Sequence, residues 1–279
     1  MPFKFKFKAE DLISKGRTSA ENVDAIKSWL QTIEDEFVPK NLPDEMIVLF
    51  LLCCENRPEL TKQTITWNFK LKRQCPELHD NRIVTKDTEL MFDIWSIVSS
   101  PKRTPENYVI HYLRLNDADC KKFDLTEIFR ATLMLMDVSL RRTADPPDGL
   151  VVVMDFGLAG LRHLTKMNLD LMRHYFNYLQ EALPMKMRAI HYLNSNFALK
   201  KVFSLIKFLI KNDLFDTMTF HPPGVSDEYF YEFIPKDCLP KDYGGDMPSL
   251  NDLTKLTRQQ FIDCEEYWKT EENLRKNIE

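Results

Sequence analysis

The segment VVVMDFGLAG, residues 151 to 160, places an aspartate two residues before a glycine at the end of an apolar run. An Asp-Phe-Gly in that setting is how phosphoryl-transfer enzymes hold magnesium against ATP, so nucleotide chemistry is the first to test. That chemistry also needs a glycine-rich loop over the phosphates, a strand lysine and a catalytic loop upstream. The chain has seven glycines, at 16, 149, 157, 160, 224, 244 and 245, and neither G-x-G-x-x-G nor G-x-x-x-x-G-K can be written with them. Immediately upstream stands LRRTADPPDG, a polar turn with no catalytic asparagine at the right offset. Asp155 therefore reads as the end of a buried strand running into a glycine-containing turn.

Other catalytic devices are missing too. The histidines, at 79, 111, 163, 174, 191 and 221, form no H-E-x-x-H and have no cysteine or carboxylate at ligand spacing. His191, inside the strand-like AIHYLN, reads as a hydrogen-bonded structural residue. No G-x-S-x-G elbow exists for acyl transfer. The expectation is a protein that is not an enzyme, with no catalytic residue, no cofactor and no metal.

Two apolar patterns stand out instead. In DLTEIFRATLMLMDVSLRR, Phe129, Thr132, Leu133, Met136 and Leu140 recur at helical spacing on one stripe. Such a stripe serves either as plain core or as the wall of a cavity for a flexible ligand, because methionine adapts to shape and a lone threonine can orient one ligand hydroxyl. In ALKKVFSLIKFLIKND, a helix of about 100° per residue puts Lys200, Lys207 and Lys211 on one narrow stripe. The remaining arc carries Val202, Phe203, Leu205, Ile206, Phe208, Leu209 and Ile210. That arc suits a helix buried between two neighbours, or a lid with a greasy cavity on one side and a membrane surface on the other.

The elements that must position these residues follow from the pattern. Thr18-Ser19-Ala20-Glu21 starts a helix in which Val23, Ile26, Trp29, Leu30 and Ile33 recur. Prolines at 39, 43, 58 and 76 then punctuate EMIVLFLLCC and ELTKQTITWNFKLKRQ, so the first hundred residues read as all-helical. Strands are expected at 108–115, 150–156, 187–193 and 216–220, with helices at 125–142, 164–182 and 198–210 between them. This alternation is that of an α/β layer with a largely parallel sheet. A last helix is expected from Ser249, with Leu250, Leu253, Leu256, Phe261 and Ile262 inward and a polar tail beyond Trp268. Six cysteines without C-x-x-C spacing point to a reducing compartment, and no run reaches the length of a membrane span. A net charge of −4 argues against broad nucleic-acid binding. The cationic opening MPFKFKFK lacks the apolar core and cleavage site of a secretory signal.

In order along the chain, GLVVVMDFGLAG, EALPMKMRAIHYLNSN and CLPKDYGGDMPSL resemble the CRAL-TRIO lipid-binding family, in its α-tocopherol transfer protein-like branch. The resemblance implies a helical N-terminal region over 1–90, a CRAL-TRIO domain over 91–248, and a C-terminal helix and tail over 249–279. It implies a mixed, largely parallel sheet with helices and a gate helix, Ala198 to Lys211, over a lipid pocket. Loose alignment to that pocket selects Phe129, Thr132, Leu133, Met136, Leu150, Met154, Tyr175, Tyr178, Leu179, Ile190, Tyr192, Phe203, Ile206 and Ile210. Thr132 and Met136 stand where the tocopherol-binding relative has two small hydroxyl residues, which leaves a tocopherol, a retinoid, a carotenoid or another isoprenoid-like lipid open. Lys186 and Arg188 match a phosphoinositide-binding basic pair, while a second pair falls on Asp213 and Thr217 and an arginine cluster is replaced by LLCC at 51–54. The implied protein is a cytoplasmic, membrane-peripheral monomer that exchanges one hydrophobic ligand at membranes, with phosphoinositide docking. The alternative is an interaction scaffold whose pocket is filled by its own methionines and aromatics.

Overall fold

The computed structural model describes residues 5–276. Residues 1–4, with the first lysine of the cationic opening, and 277–279, the end of the expected tail, lie outside the described residues. The amino-terminal part is built of α1 (Ala9–Ser14), α2 (Ala20–Thr32), α3 (Asp44–Cys53), α4 (Pro58–Gln74), α5 (Pro76–His79) and α6 (Lys86–Ile94). Ser19 caps α2 by accepting the Asn22 N–H at 3.2 Å. Helix α3 buries Met46 to Leu51 on every side, as a run without a polar face must. Pro58 occupies the first turn of α4, where its missing N–H costs nothing.

The expectation of helix throughout the first hundred residues fails at Trp95. Strand β1 (Trp95–Arg103) follows α6 with no glycine or proline between them, so no breaker announces the change of period. It pairs antiparallel with β2 (Tyr108–Leu115), Trp95 against Leu115. The chain continues through α7 (Leu125–Arg141), β3 (Gly149–Asp155), a 3-10 turn (Leu161–Lys166), α8 (Leu169–Glu181), β4 (Met187–Leu193) and α9 (Phe197–Ile206). A second 3-10 turn (Lys207–Leu209), α10 (Asn212–Phe215) and β5 (Met218–Phe220) complete the sheet. The strands lie in chain order, with β2 to β5 parallel. Parallel neighbours need crossovers, and α7, α8 and the α9–α10 segment supply them.

Because side chains alternate along a strand, the sheet has two distinct faces. Leu113, Val152, Ile190 and Tyr192 face α7, α8 and α9. Ile110, Tyr112, Val151, Val153 and Leu193 form a second, smaller core with Ile234, Leu239, Tyr243, Met247, Leu250 and Leu253. These last come from the segment that holds α11 (Asp227–Phe230) and leads into α12 (Leu250–Ile262). Leu256 and Ile262 of α12 are exposed, against expectation, and Thr254 and Thr257 are buried in their stead. The inward arc is thus narrower than the leucine pattern suggests.

The polar tail beyond Trp268 is also more than a tail. It forms α13 (Glu265–Lys276), whose Glu271 and Arg275 are buried. Glu271 pairs with Lys72 of α4 at 3.0 Å and with Arg82. Arg82 also meets Asp137 of α7 at 2.6 Å, and Arg275 meets Asp80 at 2.7 Å. The first and last parts of the chain are thereby held to the crossover helix α7 by one charge cluster. Burial alone would raise the Glu271 carboxyl, but Lys72, Arg82 and Arg275 hold it down to about 2. A carboxyl depressed on folding adds stability above its unfolded value near 4.5 and loses it as pH falls toward 2. Glu271→Gln is therefore expected to lower unfolding free energy by ~3–5 kcal/mol at neutral pH. The loss should shrink between those two pH values, as checked by denaturant titration across the range.

Candidate functional site

The Asp155 carboxylate is fully committed to the fold. Its Oδ1 accepts the Gly157 N–H at 2.9 Å and the Asn194 amide at 2.8 Å, and its Oδ2 accepts the Tyr243 hydroxyl at 3.1 Å. Tyr243 reaches it from a turn in which Gly244 has φ +71°, and a Cβ on Gly245 would stand 2.0 Å from the Leu239 carbonyl oxygen. Both glycines are required there. One carboxylate thus joins the three segments quoted above: the end of β3, the end of β4 and the YGG turn.

A cavity lies between the sheet and the helices on its larger core face. Its floor is Val152 and Met154 of β3, Ile190 and Tyr192 of β4, and His111, Leu113 and Leu115 of β2. Helix α7 contributes Ile128, Phe129, Thr132, Leu135 and Met136, and α8 contributes Met172, Tyr175, Phe176 and Leu179. Ala198, Leu199, Val202, Phe203 and Ile206 of α9 close it. Counting space that opens to solvent, it holds ≈ 1170 Å³ outside atoms, of which ≈ 120 Å³ is open to the centre of a water-sized sphere. At ~10–15 Å³ per water on that last measure, this is room for about ten waters, at the lower end of small-molecule pockets.

The lining carries no charge at neutral pH among the groups whose ionisation is resolved. Burial pushes the Tyr175 phenol up to about 12, against a smaller opposing pull from its hydrogen bond with Thr132. Burial likewise raises Tyr192 and lowers the His111 imidazole to about 3. Thr132 donates its hydroxyl hydrogen to the Phe129 carbonyl at 2.8 Å and sits 3.0 Å from the Tyr175 hydroxyl. It therefore has an oxygen to offer a ligand but no hydrogen. Phe129 and Tyr175 stack with ring centroids 4.0 Å apart, which narrows the space between α7 and α8.

Of the residues expected at a pocket, Phe129, Thr132, Met136, Met154, Tyr175, Leu179, Ile190, Tyr192, Phe203 and Ile206 are brought together in this wall. Leu133, Leu150, Tyr178 and Ile210 are not. Leu133 and Leu150 are buried in the surrounding core. The Tyr178 hydroxyl turns to α4, accepting from the Asn68 amide at 3.1 Å. Ile210 follows the 3-10 turn in extended conformation. The wall of α7 keeps Phe129, Thr132 and Met136 of the expected stripe and adds Ile128 and Leu135, while Leu133 and Leu140 face the surrounding core. His111, Leu113 and Leu115, which that reading omitted, share one strand face at period two, a signal the sequence does contain. Phe156, Ala159 and Met167 come from the turns after β3, where no periodicity marks them.

The segment from Ala198 to Lys211, expected as a gate helix, is shorter as a helix than expected. Helix α9 ends at Ile206, and a 3-10 turn covers Lys207 to Leu209, so Lys200, Lys207 and Lys211 do not share one helical stripe. Lys211 instead pairs with Glu181 of α8, and Lys207 lies 5.4 Å from the Phe215 ring centre. The outer side exposes Phe197 at 63%, Leu205 at 56% and Phe208 at 70% of their surface. Asn196 fastens the start of α9: its Oδ1 caps the Leu199 N–H at 3.1 Å and its amide donates to the carbonyls of Phe156 and Ala159.

Lys186 and Arg188 flank the start of β4, and both are engaged. Lys186 pairs with Glu55, while Arg188 donates to the Asp148 carbonyl and lies over the Tyr108 ring. Lys186, Asp213 and Thr217 line one surface cleft together with Arg57 and Cys53. His191 is hydrogen-bonded, its Nδ1 3.0 Å from His221 Nε2. Among the described residues, no group of three His, Cys, Asp or Glu side chains could hold a metal, and no helix is long and apolar enough to cross a membrane. All six cysteines are free thiols.

Comparison with known proteins places this architecture. The chain is similar to a mouse (Mus musculus) α-tocopherol transfer protein-like protein, with 20% identity over 91% of this chain and 76% of the relative. Clavesin-1 of Xenopus laevis is 21% identical over 47% of this chain and 39% of its own. The crystal structure of Sfh5 shares the fold, with a TM-score of 0.53, 15% identity, and coverage of 90% of this chain and 96% of that one. A Pinta-like, UBA domain model matches residues 16–88. The sequence model of the CRAL/TRIO domain matches residues 96–245, more than half of the chain, and the protein belongs to that family.

Proposed function

We propose that the protein encloses one uncharged, hydrophobic, lipid-like molecule and exchanges it at a membrane surface by moving the segment from Phe197 to Lys211. At the coarser level, lipid binding and transfer is the role that membership of the CRAL/TRIO family supports. The observation that carries the reading here is the two-sidedness of α9. Val202, Phe203 and Ile206 close an apolar cavity, while Phe197, Leu205 and, just beyond the helix, Phe208 face outward. Enclosure stabilises a ligand by about 0.8 kcal/mol per methylene removed from water. A bilayer that receives the outer phenylalanines stabilises the displaced segment and shifts the population toward release. The relatives named for tocopherol transfer support an isoprenoid-like ligand. Retinoids and carotenoids fit the same apolar chemistry, and the action is that of a monomer, cytoplasmic and peripheral to membranes.

Native mass spectrometry of the purified protein is expected to recover one apolar small molecule per chain, and Met136→Trp to abolish that loading while cooperative unfolding is kept. A protein that carries nothing from several hosts and takes up no hydrophobic probe would support the scaffold instead. For the outer face, Phe208→Asp is expected to slow ligand transfer between vesicles about 10-fold, the cost of withholding one aromatic side chain from the bilayer. Equilibrium binding of the same ligand should be unchanged.

The proposal extends to phosphoinositide docking at Lys186 and Arg188, on the condition that Glu55 is displaced from Lys186. Glu55→Gln is then expected to strengthen sedimentation with phosphoinositide-containing vesicles severalfold. No change with Glu55→Gln, or the same gain on vesicles containing phosphatidylserine alone, would remove the headgroup-specific part of the reading.

A further inference from the structure

Two polar groups in the cavity wall have no use in the fold. Trp95 and His163 are buried residues that line the cavity. Among the described residues, neither the Trp95 Nε1 nor the His163 Nε2 has a hydrogen-bond partner. Both belong to one end of the cavity, because the Phe123 ring lies beside each, with centroids 6.4 Å from Trp95 and 5.0 Å from His163. The indole nitrogen is a donor only. For His163 the backbone decides: the Gly160 N–H points at Nδ1 at 3.1 Å, and a backbone N–H can only donate, so Nδ1 is the acceptor and the hydrogen sits on Nε2. The nearby Gly160 carbonyl, 3.2 Å from Nδ1, would favour the other tautomer, but that arrangement sets two hydrogens against each other. Elsewhere in the wall the threonine hydrogen is already used within α7.

We infer that this end of the cavity is a subsite for an acceptor oxygen, so that the ligand is not a hydrocarbon but an apolar molecule ending in a carbonyl, ester or ether oxygen, held by Trp95 and His163 together. This rests on the proposed enclosure of a hydrophobic ligand and narrows its class. Two N–H groups left unpaired at one end of an apolar wall favour a ligand that satisfies them, since the analogue without the oxygen leaves both buried and unpaired. The subsite is also placed to respond to release. His163 sits on the 3-10 turn Leu161–Lys166, just after the Phe156 and Ala159 carbonyls that anchor Asn196 at the start of α9. Trp95 and Ile128 separate it from a shallow depression rimmed by Asp87, Lys122, Asp124 and Glu127.

The test uses the delipidated full chain and three probes: a saturated isoprenoid methyl ketone, the hydrocarbon of the same carbon skeleton, and the corresponding alcohol. Each is competed against the others at equal concentration, and the bound ratio is read by native mass spectrometry. The ketone is expected to bind about 10- to 100-fold more tightly than the hydrocarbon. Trp95→Phe and His163→Phe should each reduce that preference about 10-fold, whereas Phe123→Leu should weaken both probes alike. Because a Trp95 variant can fail to fold, the wild-type indole N–H resonances are followed in parallel. One of them should move downfield with the ketone and stay in place with the hydrocarbon. Equal binding of ketone and hydrocarbon overturns the subsite while leaving the enclosure of a hydrophobic ligand intact. Preference for the alcohol alone overturns the two-donor assignment. Failure of all three probes overturns the enclosure itself and the subsite with it.

Discussion

The carboxylate of Asp155 is the constraint on which the cavity and its cover depend. Strands β3 and β4 end side by side, Asp155 against Leu193. Asp155 receives Gly157 from its own turn, Asn194 from the end of β4 and Tyr243 from the opposite sheet face. Asn194 has positive φ, a conformation open to asparagine among non-glycine residues. Two residues later Asn196 caps α9. The geometry that starts the covering segment is therefore set by a hydrogen-bonded carboxylate at the end of the central strand, at charge-assisted strength. A sequence element that looks like a metal ligand serves instead as a structural tie between β3, β4 and the Tyr243 turn.

An incompletely filled core has an energetic consequence. Side chains around a cavity lack dispersion partners on one side, and the loss grows with cavity volume. Two features offset it here. The opposite sheet face carries its own closely packed core, with the Tyr112 hydroxyl donating to the Cys238 carbonyl at 2.7 Å. The ends of the chain close around α7 through Glu271, Lys72, Arg82 and Asp137. Buried charges seldom add much net stability over apolar packing, but their geometry is exacting. In this position they hold α7 in register against the sheet, and α7 is the wall that carries Thr132 and Met136.

How much of this the sequence carried depends on the kind of signal. The strands β2, β3 and β4 were legible as short runs rich in β-branched and aromatic residues, and the helix α7 because apolar residues recur along it at helical spacing. Strand β1 was not. Its WSIVSS run follows LMFDI without a breaker, and antiparallel pairing with β2 decides its conformation. The cavity was legible where it is built on long elements, as at Met136, Tyr175 and Tyr192. It failed at Leu133 and Tyr178, since a stripe defined to within one residue leaves the facing neighbour undecided. Trp95 and His163 were invisible as a pair, being far apart in sequence and joined only by the fold. The cationic stripe of the covering segment failed for a different reason: it assumed a helix continuous to Lys211, and the chain leaves helical geometry after Ile206.

That interruption bears on the proposed movement of the covering segment. The segment hangs between two side-chain amides. Asn196 ties its start to the carbonyls of Phe156 and Ala159. At its end Gln180 of α8 accepts the Lys211 N–H at 2.6 Å and donates to the Leu209 carbonyl at 3.3 Å. Side chain to backbone bonds of this kind contribute about 0.5–1.5 kcal/mol each, because water replaces them readily. Releasing the four of them costs roughly 2–6 kcal/mol. Burying Phe197, Leu205 and Phe208 in a bilayer, each at about 1.5–3 kcal/mol when fully exposed and less here, returns a similar amount. Inverting a 1:99 population takes about 5.5 kcal/mol. Under the proposed exchange, the four bonds and the burial of the outer apolar side chains are therefore of similar size, so contact with an apolar surface shifts the balance between the two positions.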